Sequence, residues 1–433
     1  MNHFAYKDGE LWCEEVPLSR IATRVGTPAY VYSAATLRRH ARVFRDAISP
    51  VGASDSTRAP LCCYAVKASG NLAVLSLLRR EGYGFDIVSG GELLRALRAG
   101  AKANTIVFSG VGKRDDELRA ALSAGILQFN CESEEELVQL SRVAQSMRKT
   151  APVAVRVNPD VNAKTHPYIA TALSTSKFGI PAARAREAYR LSANLPGLRA
   201  VGLACHIGSQ IGELRPFVEA ATKMRALLLD LRADGHQLIN LDLGGGLGVS
   251  YGEGTTPVSP EKYGRALARV LRGLDVRLLV EPGRLIVANA AVLLSSVILT
   301  KLGAGSRRFV VIDAGMNDLV RPALYGAHHE IEKVSLRDGA ATKPQHEKRP
   351  ARVRVDVVGP VCESADLFAQ QRLLPPLASG DLVAIRSAGA YGMSMASNYN
   401  ARPRPAEVLI DGARVRVVRE RESLEDLLRG ETT

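Results

Sequence analysis

The stretch LCCYAVKASGNLAVLSLLRREGYGFDIVSGGELLRALRAGAKANTIVFSG, residues 61–110, carries the pattern that decides the fold. Three apolar runs, LCCYAV, FDIV and TIVF, alternate with two amphipathic segments, GNLAVLSLLRREG and SGGELLRALRAG. Short runs that are apolar on both faces read as parallel strands covered by helices. The rhythm continues through ILQFNC, VAVRV, AVGLACHI, LINLDL and RLLV. Eight strand-then-helix units between about Ser33 and Arg284 predict an α/β fold, a (β/α)8 barrel of ordinary size. An open doubly wound sheet is the structural alternative. It is disfavoured because no G-x-G-x-x-G turn follows the first strand.

After Arg284 the pattern changes to shorter β-rich runs: AAVLLSSVILT, FVVIDAG, RVRVDVVG, DLVAIRSAG and AEVLIDGARVRVVR. Their Val/Ile alternation and Gly/Pro/Asp punctuation predict a second, mostly antiparallel β domain. The expected division is a barrel over 33–288 and a β domain from 1–32 and 289–433, joined by the N-terminus through Ala29–Tyr32. The polar segment Ser335 to Arg352 reads as a mobile surface loop.

Bulk properties narrow the function classes. The 433 residues suit two domains, and 46% hydrophobic with 23% charged residues suits a globular protein. No apolar run approaches the roughly 20 residues of a membrane span. The N-terminus lacks the features of a signal peptide, so a cytoplasmic location is expected. The net charge of +13 is spread along the chain rather than gathered in a stripe, which disfavours a nucleic-acid partner. The six cysteines show no metal-ligand spacing, and no metal is expected.

The barrel reading gives the strand ends their meaning, because barrel active sites gather at the C-terminal ends of the strands. Those ends carry Lys67, Asp86, Ser109, Glu132, Asn158, His206, Gly244–Gly246 and Glu281. Taken alone, Lys67 reads as a lysine leaving its strand for solvent. Desolvation at the end of a buried strand would instead free its amine for Schiff-base chemistry. The glycines of LDLGGGLG allow either a tight turn or a phosphate cradle. Glu281 in EPGR could face a pyridine nitrogen, and Arg284 could hold an anion. His206 in HIGSQ could stack on a flat cofactor, with Ser209 available to a phosphate oxygen. The combination nominates pyridoxal phosphate.

The segments YAVKAS, GFDIVSGGEL, VRVNPDV, HPYI, SKFGI, CHIGSQ, LDLGGGLG, EPGR, DAGMNDLVRPALY, DVVGPVCESADLF, AGAYGMSMASNYN and RPRPAEVL resemble diaminopimelate decarboxylases, within the alanine-racemase-like group of pyridoxal-phosphate enzymes. The resemblance runs from about Ala29 to Leu409 with the motifs in order. It implies a homodimer with shared active sites, acting on a small amino acid. Lys67 would be the Schiff-base lysine, and Lys67, His206 and Cys362 the catalytic set. Asp86, His206, Ser209, Gly244, Gly245, Gly246, Glu281, Gly283, Arg284 and Tyr391 would surround the cofactor. Arg284, Arg321, Tyr325, Glu363 and Tyr391 would meet the substrate, with Cys362 and Glu363 arriving from the partner subunit. Ser69 and Ala365 depart from the usual Asn and Gly, and neither removes a reacting group.

These roles imply decarboxylation of meso-2,6-diaminopimelate to L-lysine, the last step of lysine biosynthesis in bacteria. Arg321 suits a distal carboxylate and Glu363 a distal ammonium. Related decarboxylases acting on D-lysine, D-ornithine, ornithine, arginine or carboxynorspermidine are the near alternatives. A racemase is disfavoured by Glu281, and a pyridoxal-binding regulatory homologue by the presence of Cys362 and the distal-pocket residues.

Overall fold

In the computed structural model all eight apolar runs form strands: β1 (Leu61–Ala65), β2 (Gly84–Ile87), β3 (Ile106–Phe108), β4 (Gln128–Cys131), β5 (Ala151–Asn158), β6 (Leu198–Ala204), β7 (Asn240–Asp242) and β8 (Arg277–Val280). Residues 2–51, 58–162, 177–252, 256–336 and 352–433 are described. HPYI and most of the predicted loop at Ser335 to Arg352 lie outside them. Each of the eight strands pairs in parallel with the next. The ring closes where Leu279 and Val280 of β8 meet Leu61 and Cys62 of β1. The open-sheet alternative is thereby excluded.

The helices α1 (Ala34–Ile48), α2 (Leu72–Arg80), α3 (Gly90–Arg98), α4 (Asp115–Ala124), α5 (Glu134–Ser146), α6 (Ala185–Asn194), α7 (Arg215–Ala233) and α8 (Pro260–Val270) alternate with the strands. Asn71, Ser89, Ser133 and Ser259 start four of them, each accepting a hydrogen bond from a first-turn backbone N–H. No helix follows β8 directly at full length. α1, which precedes β1, packs on α8 instead: the rings of Phe44 and Tyr263 stack with centroids 6.2 Å apart.

The chain divides into two compact units, residues 38–249 with 255–285, and residues 1–37 with 250–254 and 286–433. The barrel belongs to the first. The second is built on the long strand Ala291–Leu302, which pairs antiparallel with Ala29–Ser33, Leu382–Ile385 and Arg308–Ile312. Ala29–Ser33 also pairs, in parallel, with Ala406–Asp411. Val31, Val292, Leu294, Ala384, Val408 and Ile410 form a core with Leu11, Leu18 and Ile21 from the N-terminal segment. Strands beyond the sequence reading include the hairpin of Phe4–Lys7 with Glu10–Cys13, the strand Leu367–Leu374 beside Val353–Val358, and the short strand Ile331–Lys333.

The α1–α8 contact depends on glycine. A Cβ at Gly264 would collide with the Ala47 carbonyl oxygen. Gly264→Ala must push the helices apart, and overpacking of this kind costs about 1–3 kcal/mol. The expected outcome is a lower Tm in thermal unfolding, and an unchanged Tm would show that the contact yields without cost.

Candidate active site

β1 ends in a single 3-10 turn, Val66–Ala68, which carries Lys67. The parallel register sets Ala65 opposite Asp86 of β2. Lys67 Nζ accordingly donates to Asp86 Oδ2 at 2.6 Å. The strand-end lysine is therefore ion-paired, with its side chain still partly exposed. Asp86 is fully buried, and its other oxygen, Oδ1, has no hydrogen-bond partner among the described residues.

The glycine loop follows β7. A Cβ at Gly245 would strike the Glu281 carbonyl oxygen, and one at Gly246 the Gly208 carbonyl oxygen. The loops after β6, β7 and β8 therefore pack backbone against backbone, and Gly246 also has φ +116°. Ile211 N–H donates to the Gly246 carbonyl at 2.9 Å. Beside this loop the Arg284 guanidinium donates to Ser209 Oγ, at 3.0 Å from Nη2 and 3.3 Å from Nε. Gly283 packs against Ala65 and Ala68 on either side of the lysine turn.

His206 stands at the end of β6 and accepts the Gly245 N–H at its Nδ1, 3.1 Å away. Burial pushes its pKa well below the ordinary histidine value, with Arg156 and Lys67 adding to the fall. The ring is therefore a neutral imidazole with its remaining proton on Nε2.

A polar chain runs through the barrel interior beneath these groups. Asn240 donates to Gln128, Gln128 to Asn130, and Asn130 to both Ser109 Oγ and Asp242 Oδ2. Asp242 and Glu281 share a hydrogen bond. Burial pushes the Glu281 carboxyl well above the usual carboxylate range, with Asp242 and Asp86 adding to the rise. Arg156 pairs with Glu132 at 2.8 Å, and Glu132 also accepts the backbone N–H groups of Gly110 and Gly179.

The barrel unit thus brings together Lys67, Asp86, His206, Ser209, Gly244–Gly246, Glu281, Gly283 and Arg284. Arg321, Tyr325, Cys362, Glu363 and Tyr391 belong to the other unit. There Arg321 is buried, whereas Cys362 and Glu363 are exposed. The loop bearing the cysteine is pinned at its base by buried Asp366, which accepts the N–H groups of Val361 and Met316 at 2.7 and 2.6 Å. Cys362 N–H donates to Asn400 Oδ1 at 2.7 Å. Tyr391 is held at φ +56°, an uncommon conformation for a bulky side chain.

Comparison with known proteins bears directly on this arrangement. Residues 36–288 match the family model described as pyridoxal-dependent decarboxylase, pyridoxal binding domain. The chain is 48% identical to the diaminopimelate decarboxylase of Vibrio cholerae, over 99% of this chain and 98% of that one. It is also 48% identical to the diaminopimelate decarboxylase of Pseudomonas aeruginosa, over 100% and 99%. The diaminopimelate decarboxylase of M. jannaschii, solved in complex with L-lysine, superposes with a TM-score of 0.92 at 34% identity, covering 100% of this chain and 99% of that one.

This chain belongs to the diaminopimelate decarboxylase family. The barrel residues fit that family's pyridoxal phosphate. Lys67 supplies an amine beside an orphaned carboxylate oxygen, and Ser209 with Arg284 supplies anion donors next to backbone that no side chain can crowd. Glu281 is a buried acid suited to a ring nitrogen, and His206 a flat, uncharged partner for a ring face.

Asp242, Arg156 and Asn130 are buried polar residues of the barrel interior that the sequence reading missed. A charged or amide residue within each apolar run was the available signal. Alternate strand residues point to one side, so Gln128 and Asn130, and likewise Asn240 and Asp242, enter the barrel interior together.

The buried acid gives a pH signature. Glu281 binds its proton more tightly folded than unfolded, so the folded state carries more protons than the unfolded one. Stability of the cofactor-free protein then falls as pH rises from the unfolded carboxyl value of about 4.3 toward the folded one. Glu281→Gln should flatten that decline and raise the Tm of the cofactor-free protein at neutral pH, as read by thermal unfolding across a pH series. A variant melting curve parallel to wild type at every pH would contradict it.

Proposed function

We propose that this chain decarboxylates meso-2,6-diaminopimelate to L-lysine, completing lysine biosynthesis. The observation that carries the reading is the meeting of Lys67, Glu281, His206 and the Ser209–Arg284 pair around one glycine loop. Pyridoxal phosphate, when bound, supplies a sink for the electron pair left on carbon as CO2 departs.

The remaining work falls to the chain's own residues. Lys67 would hold the cofactor's aldehyde end, with Asp86 as its counter-ion. Ser209, Arg284, Gly244–Gly246 and Gly283 would hold the phosphate end, with Tyr391 assigned to it by the family resemblance alone. His206, being neutral, would offer a flat partner to a ring face without adding a charge that would oppose a protonated ring. Glu281 retains its proton strongly, so it would keep a proton available to the ring nitrogen.

Cys362 returns a proton from Sγ to the carbon that lost CO2. Arg321 binds the distal carboxylate through its planar fork, aided by Tyr325, and Glu363 takes the distal ammonium. The protein is read as a cytoplasmic homodimer in which Cys362 and Glu363 serve the partner's site. Their exposure on a loop whose base is fixed by Asp366 supports that reading.

The test is to supply the purified protein with pyridoxal phosphate and candidate amino acids, measuring CO2 and identifying the product. Lysine should form from the meso isomer, and an absence of lysine would end the proposal. Cys362→Ala should lower kcat by about a hundredfold or more with cofactor affinity retained. Arg321→Ala should raise KM by the equivalent of about 2–5 kcal/mol, the usual cost when a bound charge loses its partner. Full turnover in the first variant, or an unchanged KM in the second, would remove the role assigned to that residue.

A further inference from the structure

Two histidines, His328 and His329, follow the helix Arg321–Tyr325, and their environments differ. His328 is partly exposed and lies near Glu330 and Arg372. His329 is completely buried, and both of its ring nitrogens are engaged. Nδ1 lies 2.8 Å from the Arg386 carbonyl oxygen, which can only accept. Nε2 lies 2.8 Å from Arg321 Nη1, which can only donate. These two partners leave one arrangement: a neutral imidazole with its proton on Nδ1 and its Nε2 lone pair directed at the guanidinium.

The imidazole is itself tightly located. Arg372 Nη1 donates to the His329 backbone carbonyl at 3.1 Å. Arg386 N–H donates to the Glu330 carbonyl at 2.8 Å, where the strands Ile331–Lys333 and Leu382–Ile385 begin to pair. The Arg386 guanidinium is tied to Glu332. The accepting carbonyl therefore follows directly on a strand that is paired on both sides.

Arg321 receives a second contact from the ring of Tyr251, whose centroid is 4.5 Å from the guanidinium carbon. Tyr251 in turn packs edge-on against His329, with ring centroids 5.2 Å apart. His329 and Tyr251 thus hold the guanidinium by an edge and a face, and neither contact neutralises its charge. A carboxylate at position 329 would also have held the arginine, but by forming an ion pair that competes with an incoming anion.

We propose that His329 is a positioning residue for substrate selection: as a neutral acceptor it aims the Arg321 guanidinium at the substrate's distal carboxylate. This rests on the distal-carboxylate role proposed for Arg321. Its effect is on the binding of a dicarboxylic substrate rather than on the loss of CO2.

The test compares His329→Gln, His329→Asn, Arg321→Ala and the double variant His329→Asn/Arg321→Ala, all as holoenzymes turning over meso-diaminopimelate. A glutamine oxygen reaches the position of Nε2 and can still accept from Arg321. An asparagine amide occupies the position of Nδ1 and preserves only the bond to the Arg386 carbonyl. His329→Asn should raise KM by about tenfold with kcat within about twofold, the scale of one hydrogen bond to a charged group. His329→Gln should stay near wild type. The asparagine change should add nothing to KM in the Arg321→Ala background, because both act through one guanidinium.

Equal effects of Gln and Asn, a fall in kcat with KM unchanged, or additive effects in the double variant would each overturn the proposal. Should both single histidine variants fail to fold, a positioning role separable from structure is likewise overturned. An unchanged KM in Arg321→Ala removes the distal-carboxylate reading and the positioning role with it. A raised KM there beside an unchanged KM in His329→Asn removes the positioning role alone.

Discussion

Val280 pairs with Cys62 and Leu279 with Leu61, and this short parallel ladder turns an open run of strands into a ring. Much of the barrel unit's chemistry depends on that closure. It sets the loop after β8, with Glu281 and Arg284, beside the turn after β1, with Lys67. Gly283 then fits between Ala65 and Ala68. In an open sheet β1 and β8 would lie at separated positions, and the acid, the amine and the arginine would have no common neighbourhood. The family's shared chemistry is thus a consequence of how a sheet closes.

Closure also creates an electrostatic difficulty. Asp86, Asp242 and Glu281 are all buried, and repulsion among carboxylates raises the proton affinity of at least one. Lys67 and Arg156 act in the opposite direction on Glu281. The balance leaves an acid that holds its proton strongly beside an imidazole kept neutral. Desolvation serves both ends, because it pushes an acid's pKa up and a histidine's down.

The fold was legible because strands buried on both faces leave uninterrupted apolar runs, and all eight were visible. The N-terminal hairpin was missed although Asp8-Gly9 carried a turn signal; both residues have positive φ. Leu367–Leu374 was hidden by its polar centre, Gln370-Gln371-Arg372, where Gln371 has φ +49° and the register with Val353–Val358 shifts. Among the candidate residues, Lys67 and the glycine loop stood out because each sits where a strand ends. Asp242, Arg156 and Asn130 were passed over although each interrupts an apolar run, because their partners are distant in sequence and a lone polar residue does not say what it faces. His329 was equally hidden: nothing in the pair His328-His329 tells which ring is enclosed between an arginine and a carbonyl.

The glycine loop after β7 imposes a restriction of a different kind. Gly245 and Gly246 are enclosed by main-chain oxygens of the loops on either side, which cannot rotate away as a side chain could. Even alanine would require two neighbouring loops to move, and with them the residues on which the chemistry depends. A segment with no reactive side chain is therefore closed to neutral drift. In this barrel the evolutionary record should be most frozen where the sequence offers least chemistry, and freest on the outer faces of the helices.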